Sequence, residues 1–175
     1  MYKRQVVDLF TGLYGVVGIL AALRQRDRTG RGQHVDMALL DVATAVMANQ
    51  AMNYLVSGKV PGMLGNAHPN IVPYAVFDCA DGWIIIASGN DGQYRRLVEV
   101  LGLPALADAP DYLTNADRVA NRDRLTETLT AVTRGWSRDD LLAALERAGV
   151  PAGPINDVAD VFADPQVIAR GMRID

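Results

Sequence analysis

Cysteine is nearly absent from this 175-residue chain, and charge of neither sign dominates it. The single cysteine, Cys79, excludes an internal disulfide and fits a reducing compartment, so we expect a cytoplasmic protein. The 17 basic and 20 acidic residues give a formal net charge of −3, which argues against a nucleic-acid surface. The two histidines, His34 and His68, do not have metal-ligand spacing with the cysteine, so we expect no metal site.

A hydrophobic run long enough to cross a membrane is also lacking. The uncharged stretch of residues 9–23 is fifteen residues long, short of the ~20 that a span needs, and arginine-rich sequence follows it instead of a signal-peptide cleavage site. Gly12, Gly15 and Gly18 recur every third residue and share roughly one face, where a second backbone could approach closely. We expect a helix from about Leu9 to Arg26, buried in a soluble core, and no membrane partner.

Asp8 lies at the start of this run. A carboxylate at the positive end of a helix is stabilised in its ionised form, which suits both a helix cap and a nucleophile. Taken alone, the residue type and its position favour the cap.

The rest of the chain predicts further helices and one clear hairpin. Residues 33–37 alternate in character and predict a short strand, and residues 39–56 predict a helix. Residues 74–79 and 83–87 flank Asp81-Gly82, a pair typical of hairpin turns. Further predicted elements are helices at residues 93–101 and 114–133, a helix capped by Ser137 and ending at Gly149, short helical turns at 157–162 and 165–170, and the start of a strand at Arg173-Ile174.

Both ends of the chain look cut. It begins just before an apolar helix and stops at the start of a predicted strand, whereas a small complete domain usually ends in polar, expendable residues. The length suits one domain or parts of two. We therefore expect a fragment of a longer protein.

Several motifs occur in an order that resembles a known family. Asp8-Leu9-Phe10-Thr11-Gly12 leads to Arg28-Thr29-Gly30-Arg31-Gly32-Gln33, and Gly65-Asn66-Ala67-His68-Pro69 is followed by Val72-Pro73-Tyr74. Gly149-Val150-Pro151-Ala152-Gly153-Pro154-Ile155-Asn156 comes near the end. This order closely resembles the class III CoA-transferases, also called the CaiB/BaiF family, over nearly the whole chain.

The resemblance implies an α/β fold class and a place for each segment. The chain would be a mostly helical fragment of a Rossmann-like large domain joined to a small α+β domain with a β-hairpin. Residues 1–57 would end the N-terminal segment of the large domain, residues 58–133 would form the small domain, and residues 134–175 would lead back towards the large domain. Family members form interlocked homodimers, which the resemblance implies for the full-length protein.

The resemblance also implies a reaction. The family's nucleophile is an aspartate that precedes the Thr-Gly-Arg-Gly-Gln turn, and Asp8 matches it. The implied activity transfers coenzyme A between an acyl-CoA and a small carboxylic acid through aspartyl anhydride and aspartyl-CoA thioester intermediates. A small-domain loop closes over the intermediate in the family, so Gly65, Asn66 and His68 are the implied substrate-binding residues. Most residues that contact coenzyme A would lie before this chain.

Two alternatives remain open. The same family includes α-methylacyl-CoA racemases, which exchange an α-proton by means of a histidine and the equivalent aspartate. The chain could also be an inactive remnant that only dimerises. The His68-Pro69 and Val72-Pro73-Tyr74 motifs look closer to transferases of small dicarboxylates such as succinate or glutarate. Cys79, within a predicted strand, is expected to be an inert core residue.

Overall fold

The computed structural model describes residues 4–174 without the side chain of Arg4, so residues 1–3 and 175 lie outside the description. The chain divides into two compact units, an N-terminal unit of Met1–Met63 and a C-terminal unit of Leu64–Asp175. The described residues are mostly helical, with one small antiparallel sheet. This architecture confirms the predicted mostly helical fold class with its β-hairpin.

Three helices make up the regular structure of the described N-terminal unit: α1 (Arg4–Thr29), α2 (Leu39–Ala45) and α3 (Ala48–Ser57). Helix α1 ends at Thr29, three residues later than predicted, where the Gly30 amide donates to Arg26 O at 2.7 Å and Gly30 adopts a φ of 70°. Its beginning lies earlier than predicted, at Arg4, since Gln5, Val6 and Val7 contain no helix breaker.

The predicted burial of α1 in a soluble core is wrong for the described residues. Leu9 and Val17 expose 69% and 67% of their surface. The segment Gln5–Thr29 is long and apolar enough to cross a membrane, a criterion that core helices of soluble proteins and signal sequences also meet. Counting only the uncharged run underestimated the helix. Apolar surface of this extent normally marks a contact with another element, chain or lipid.

The segment after α1 differs from the prediction in two places. Residues 31–38 form no regular structure, so the strand predicted at 33–37 is wrong; no neighbouring strand of the described N-terminal unit pairs with it. The helix predicted at 39–56 is interrupted around Met47, before Ala48 with its φ of 47°. Of the three glycines of α1, Gly12, Gly15 and Gly18, only Gly18 has a close neighbour, since an added Cβ would lie 3.1 Å from Val35 Cγ1.

The C-terminal unit is built around a three-stranded sheet of β1 (Tyr74–Cys79), β2 (Gly82–Ala87) and β3 (Ala152–Pro154). Strands β1 and β2 form the predicted hairpin, with Cys79 opposite Gly82 at the turn. Strand β3 pairs antiparallel with the other edge of β2. The sequence did not predict β3, because alanine, glycine and proline have low strand propensity.

Helices pack around this sheet. The longest predicted helix, over residues 114–133, is divided at Asn121, whose φ of −109° and ψ of 25° are not helical. Ser137 caps the next helix as predicted, its side chain accepting from the Asp140 amide. The strand predicted at Arg173-Ile174 is absent from the described structure. The helices of this unit are α4 (Asp91–Val100), α5 (Asn115–Ala120), α6 (Arg122–Thr133), α7 (Arg138–Arg147), α8 (Val158–Ala163) and α9 (Pro165–Ala169), with 3₁₀ turns at Pro104–Ala107 and Pro110–Tyr112.

A single apolar core joins the sheet to helices α4, α6 and α7. Alternate residues of the hairpin face it, and its fully buried members are Val72, Phe77, Ile84, Ile86, Tyr94, Leu97, Val98, Leu125, Leu129, Leu141 and Leu145. The last two belong to α7, so residues beyond 133 complete the core of the C-terminal unit rather than simply leaving it. How these segments divide between the family's large and small domains stays a prediction.

Candidate functional site

Asp8 is the fifth residue of α1 and is exposed, so its interpretation as a helix cap is wrong. The field of a helix end falls off within the first turn, which weakens the electrostatic stabilisation expected there. The hydroxyl of Thr11 donates to Val7 O at 2.7 Å and is therefore engaged with the backbone. No ion pair with Asp8 occurs among the side chains of residues 5–174. Asp8 is thus an accessible carboxylate without a described cation beside it.

The three other predicted site residues come together in one segment of the C-terminal unit, residues 65–73, which we call the His68 loop. Gly65 is exposed, with a φ of 61° that favours glycine. Asn66 Oδ1 accepts from the Val76 amide at 2.9 Å, which ties the start of the loop to β1. Within residues 4–174, the amides of Gly65 and Asn66 donate no hydrogen bond, whereas Ala67 and His68 do.

His68 is held on both its backbone and its ring. Its amide donates to Tyr74 O at 2.9 Å, and its ring stacks on that of Tyr74 with centroids 5.2 Å apart. The Asn70 amide donates to His68 Nδ1 at 3.1 Å. Because Nδ1 accepts a hydrogen bond, the proton of the neutral ring lies on Nε2.

Three polar side chains hold the loop from α5 and α6. Asn115 and Arg118 lie three residues apart on α5, which places them on one face of that helix, and Arg122 is the first residue of α6. Asn115 donates to Asn70 O at 2.8 Å, Arg118 donates to Val72 O at 2.7 Å, and Arg122 donates to His68 O at 2.8 Å. The loop predicted to close over an intermediate is therefore fixed through its backbone in this structure.

Arg118 is the most deeply buried of these side chains, with 1% of its surface exposed. Its Nη2 lies 2.6 Å from Asp91 Oδ1, and its guanidinium lies 4.4 Å from the centre of the Tyr94 ring. Burial raises the pKa of Tyr94 to about 12, although the Arg118 charge opposes the shift. The Tyr94 hydroxyl consequently stays protonated and donates to Leu106 O.

The sequence did not predict the three residues that hold the His68 loop, Asn115, Arg118 and Arg122. Their polar i, i+3, i+7 spacing lies within the predicted helix of residues 114–133, where it marks a polar face beside the apolar one. Nothing in the sequence, however, shows that an arginine on that face is buried, or which carbonyl groups it meets.

Cys79 is buried in β1, and its desolvation raises the pKa of the thiol, as expected for an inert core residue. No group of three or more histidine, cysteine or acidic residues in the described part of the chain is placed to hold a metal ion.

Asp8 belongs to the N-terminal unit, and Gly65, Asn66 and His68 to the C-terminal unit.

Comparison with known proteins shows the family to which the chain belongs. The chain belongs to CoA-transferase family III, whose family model matches residues 1–175. The resemblance found in the sequence is confirmed.

The relatives are longer proteins. The succinate–glutarate CoA-transferase of Agrobacterium fabrum is 56% identical over 170 residues, which are 97% of this chain and 42% of the relative. The succinyl-CoA:glutarate CoA-transferase of Homo sapiens is 40% identical, over 97% of this chain and 39% of the relative. A crystal structure of a CaiB/BaiF family protein from Brucella suis matches with a TM-score of 0.80 and 59% identity, over 97% of this chain and 45% of that one. The chain therefore spans less than half the length of these proteins.

Proposed function

We propose that the native-length protein transfers coenzyme A from an acyl-CoA to a carboxylic acid, with Asp8 as the nucleophile. The observation that carries the proposal is the accessible Asp8 carboxylate on α1, without an ion pair among the side chains of residues 5–174, in a chain that matches the transferase family from end to end. An aspartate is ordinarily ionised near neutral pH, so it needs no general base to attack.

The proposed reaction proceeds by four acyl substitutions. An Asp8 oxygen attacks the thioester carbon, the C–S bond breaks, and a mixed anhydride and CoA thiolate form. The thiolate attacks the aspartyl carbon of the anhydride, releasing the donor acid and leaving an aspartyl-CoA thioester. The acceptor carboxylate then displaces CoA thiolate, and the thiolate attacks the acceptor's acyl carbon to form the new acyl-CoA and free Asp8. Dividing the exchange into activated steps is covalent catalysis, and no oxidant or net proton is required.

Each substitution places negative charge on a former carbonyl oxygen. The amides of Gly65 and Asn66, which donate to no group in the described part of the chain, suit this charge, as does the Nε2–H of His68. One such preorganised donor is typically worth about 3 kcal/mol in the transition state. These three residues are therefore the substrate-binding residues of the proposal.

The proposed substrates are small dicarboxylic acids and their CoA thioesters. The relative named for succinate and glutarate is 56% identical to this chain, and relatives named for oxalate and mesaconate are 38% and 39% identical. A second carboxylate distinguishes such acids from simple fatty acids and gives the enzyme a charged group to recognise.

The proposal includes a cytoplasmic homodimer. The single cysteine suits a reducing compartment. The exposed apolar side chains of α1 need a cover, which the rest of the native protein and a second, interlocked copy would supply. Mass measurement of the native-length protein in solution tests the dimer, and a monomeric mass would contradict it.

Replacing Asp8 by alanine tests the nucleophile in the native-length protein. We expect Asp8→Ala to lower the CoA-transfer rate by a factor on the order of 10⁴ or more, because no other group forms the acyl bond. Asp27→Ala is the matched control: Asp27 lies at the other end of α1 in an exposed ion pair with Arg26, and its removal should leave the rate nearly unchanged.

Two outcomes of this experiment would contradict the proposal. Undiminished transfer by Asp8→Ala would exclude Asp8 as the nucleophile. Incorporation of deuterium at the α-carbon of the substrate, without exchange of the acyl group, would identify a racemase instead of a transferase.

A further inference from the structure

Side chains of helices α5 and α6 donate hydrogen bonds to the backbone of the His68 loop. We propose that Arg122 is a positioning residue of the transfer reaction, fixing the loop so that His68 presents its Nε2–H as a hydrogen-bond donor to the reacting acyl group. This inference rests on the proposed function and adds to it both the role of His68 and the residue that fixes its position.

The contact of Arg122 with the loop is bidentate. Its Nη1 donates to His68 O at 2.8 Å, and its Nη2 donates to Pro69 O at 2.7 Å. One planar guanidinium therefore holds two successive carbonyl groups and fixes the peptide plane between them. A lysine has the same charge but lacks this fork, so it cannot reproduce the geometry.

Asn115 holds the other half of the loop with both ends of its amide. Its Nδ2 donates to Asn70 O at 2.8 Å, and its Oδ1 accepts from the Val72 amide at 3.1 Å. Between these anchored points, the Asn70 amide is directed at His68 Nδ1. Arg122 and Asn115 thus set the turn in which the Asn70 amide donates to His68 Nδ1, and this contact favours the ring with its proton on Nε2.

In this form of His68, the Nε2–H group is available as a hydrogen-bond donor. Since Nδ1 accepts from Asn70, the neutral ring carries its proton on Nε2, and stacking on Tyr74 limits rotation of the ring. No residue in the described part of the chain accepts a hydrogen bond from that Nε2–H. A donor fixed before the reaction stabilises developing charge without reorganisation, which is the requirement of an oxyanion site.

Arg122→Lys in the native-length protein tests the positioning role, with Arg124→Lys as its matched control. Arg124 lies on the same helix but contacts Tyr112 and Asp111 rather than the loop. We expect hydrogen exchange of a peptide covering residues 65–73 to quicken about tenfold in Arg122→Lys, since a charged hydrogen bond is lost. Exchange of residues 82–87 should not change, and the control should alter neither segment.

A second variant separates the donor from the turn. In His68→Asn, the Oδ1 atom takes the place of Nδ1 and accepts from Asn70, but no donor remains at the position of Nε2. We expect the exchange protection of residues 65–73 to persist while kcat for CoA transfer falls about a hundredfold. Arg122→Lys should lower kcat about tenfold through loss of the fixed geometry, with a smaller change in KM.

The outcomes divide clearly. Equal quickening of exchange in the loop and in residues 82–87 would make Arg122 a general stabilising residue and overturn the inference. Normal kcat in His68→Asn, or in an Arg122→Lys protein with a loosened loop, would also overturn it. A wild-type protein that transfers no CoA would instead refute the proposed function, while the exchange comparison would still show whether Arg122 holds the loop.

Discussion

At the scale of the residue, Arg118 shows how a buried charge can organise a small unit. Its guanidinium donates to Val72 O, Tyr112 O and Asp91, so three separate segments meet at one side chain. Its charge is balanced by Asp91 and by the face of Tyr94. Burial of such a group is tolerated only because nearly every donor has a partner.

We expect Arg118→Met to lower the free energy of unfolding by about 3 kcal/mol, because the buried carbonyl groups that it satisfies would lose their donor. Arg95→Met is the matched control: the Arg95–Asp108 ion pair is exposed, and its loss should cost less than about 1 kcal/mol. Chemical denaturation of the two variants measures both values. Equal losses would show that the buried network adds no more than a surface pair.

At the scale of the element, the predictions succeeded where a local signal determines the structure. The Asp81-Gly82 pair located the hairpin, and Ser137 located the start of α7. The strand β3 could not be predicted, because its residues have low strand propensity and it forms only by pairing with β2, nearly seventy positions earlier in the chain. The strand predicted at residues 33–37 is wrong for the opposite reason. Its alternating pattern favours a strand, but no strand of the described unit pairs with it.

The end of α7 gives a test at this scale. Gly149 adopts a φ of 66°, and the amides that follow the helix donate back to Glu146 O and Leu145 O, a Schellman-type ending. An added Cβ would meet only Arg96 Nη2, at 3.9 Å, so the cost of a side chain is backbone strain alone. We expect Gly149→Ala to destabilise the protein by about 1 kcal/mol, and Gly149→Asn by less, since asparagine tolerates this conformation better. Thermal denaturation ranks them; the reverse order would contradict the explanation.

At the scale of the whole molecule, the apolar core lies almost entirely in the C-terminal unit. Val42 is the only buried apolar residue among those described in the N-terminal unit, whereas the C-terminal core combines one sheet and three helices. The sequence identified Asp8 and the His68 loop through their resemblance to a family. It did not identify Asn115, Arg118 and Arg122, because a side chain's distant backbone partners leave no trace in a single sequence.

Proteolysis tests this uneven distribution of the core. Lys59 is exposed and lies between α3 and the C-terminal unit, and Lys3 is the other lysine of the chain. From the 175-residue chain, we expect the endoproteinase Lys-C to release a fragment of residues 60–175 that still unfolds in one cooperative thermal transition, because it keeps the whole C-terminal core. A fragment without a transition would show that the C-terminal unit needs the N-terminal one.

Covalent capture at Asp8 tests the central claim most directly. The native-length protein is incubated with succinyl-CoA without an acceptor, quenched with hydroxylamine, digested and analysed by mass spectrometry. The account predicts a hydroxamate on Asp8 that requires the CoA thioester and is absent from Asp27 and Asp36 in the same sample. An unmodified Asp8 in protein that transfers coenzyme A at its normal rate would contradict it.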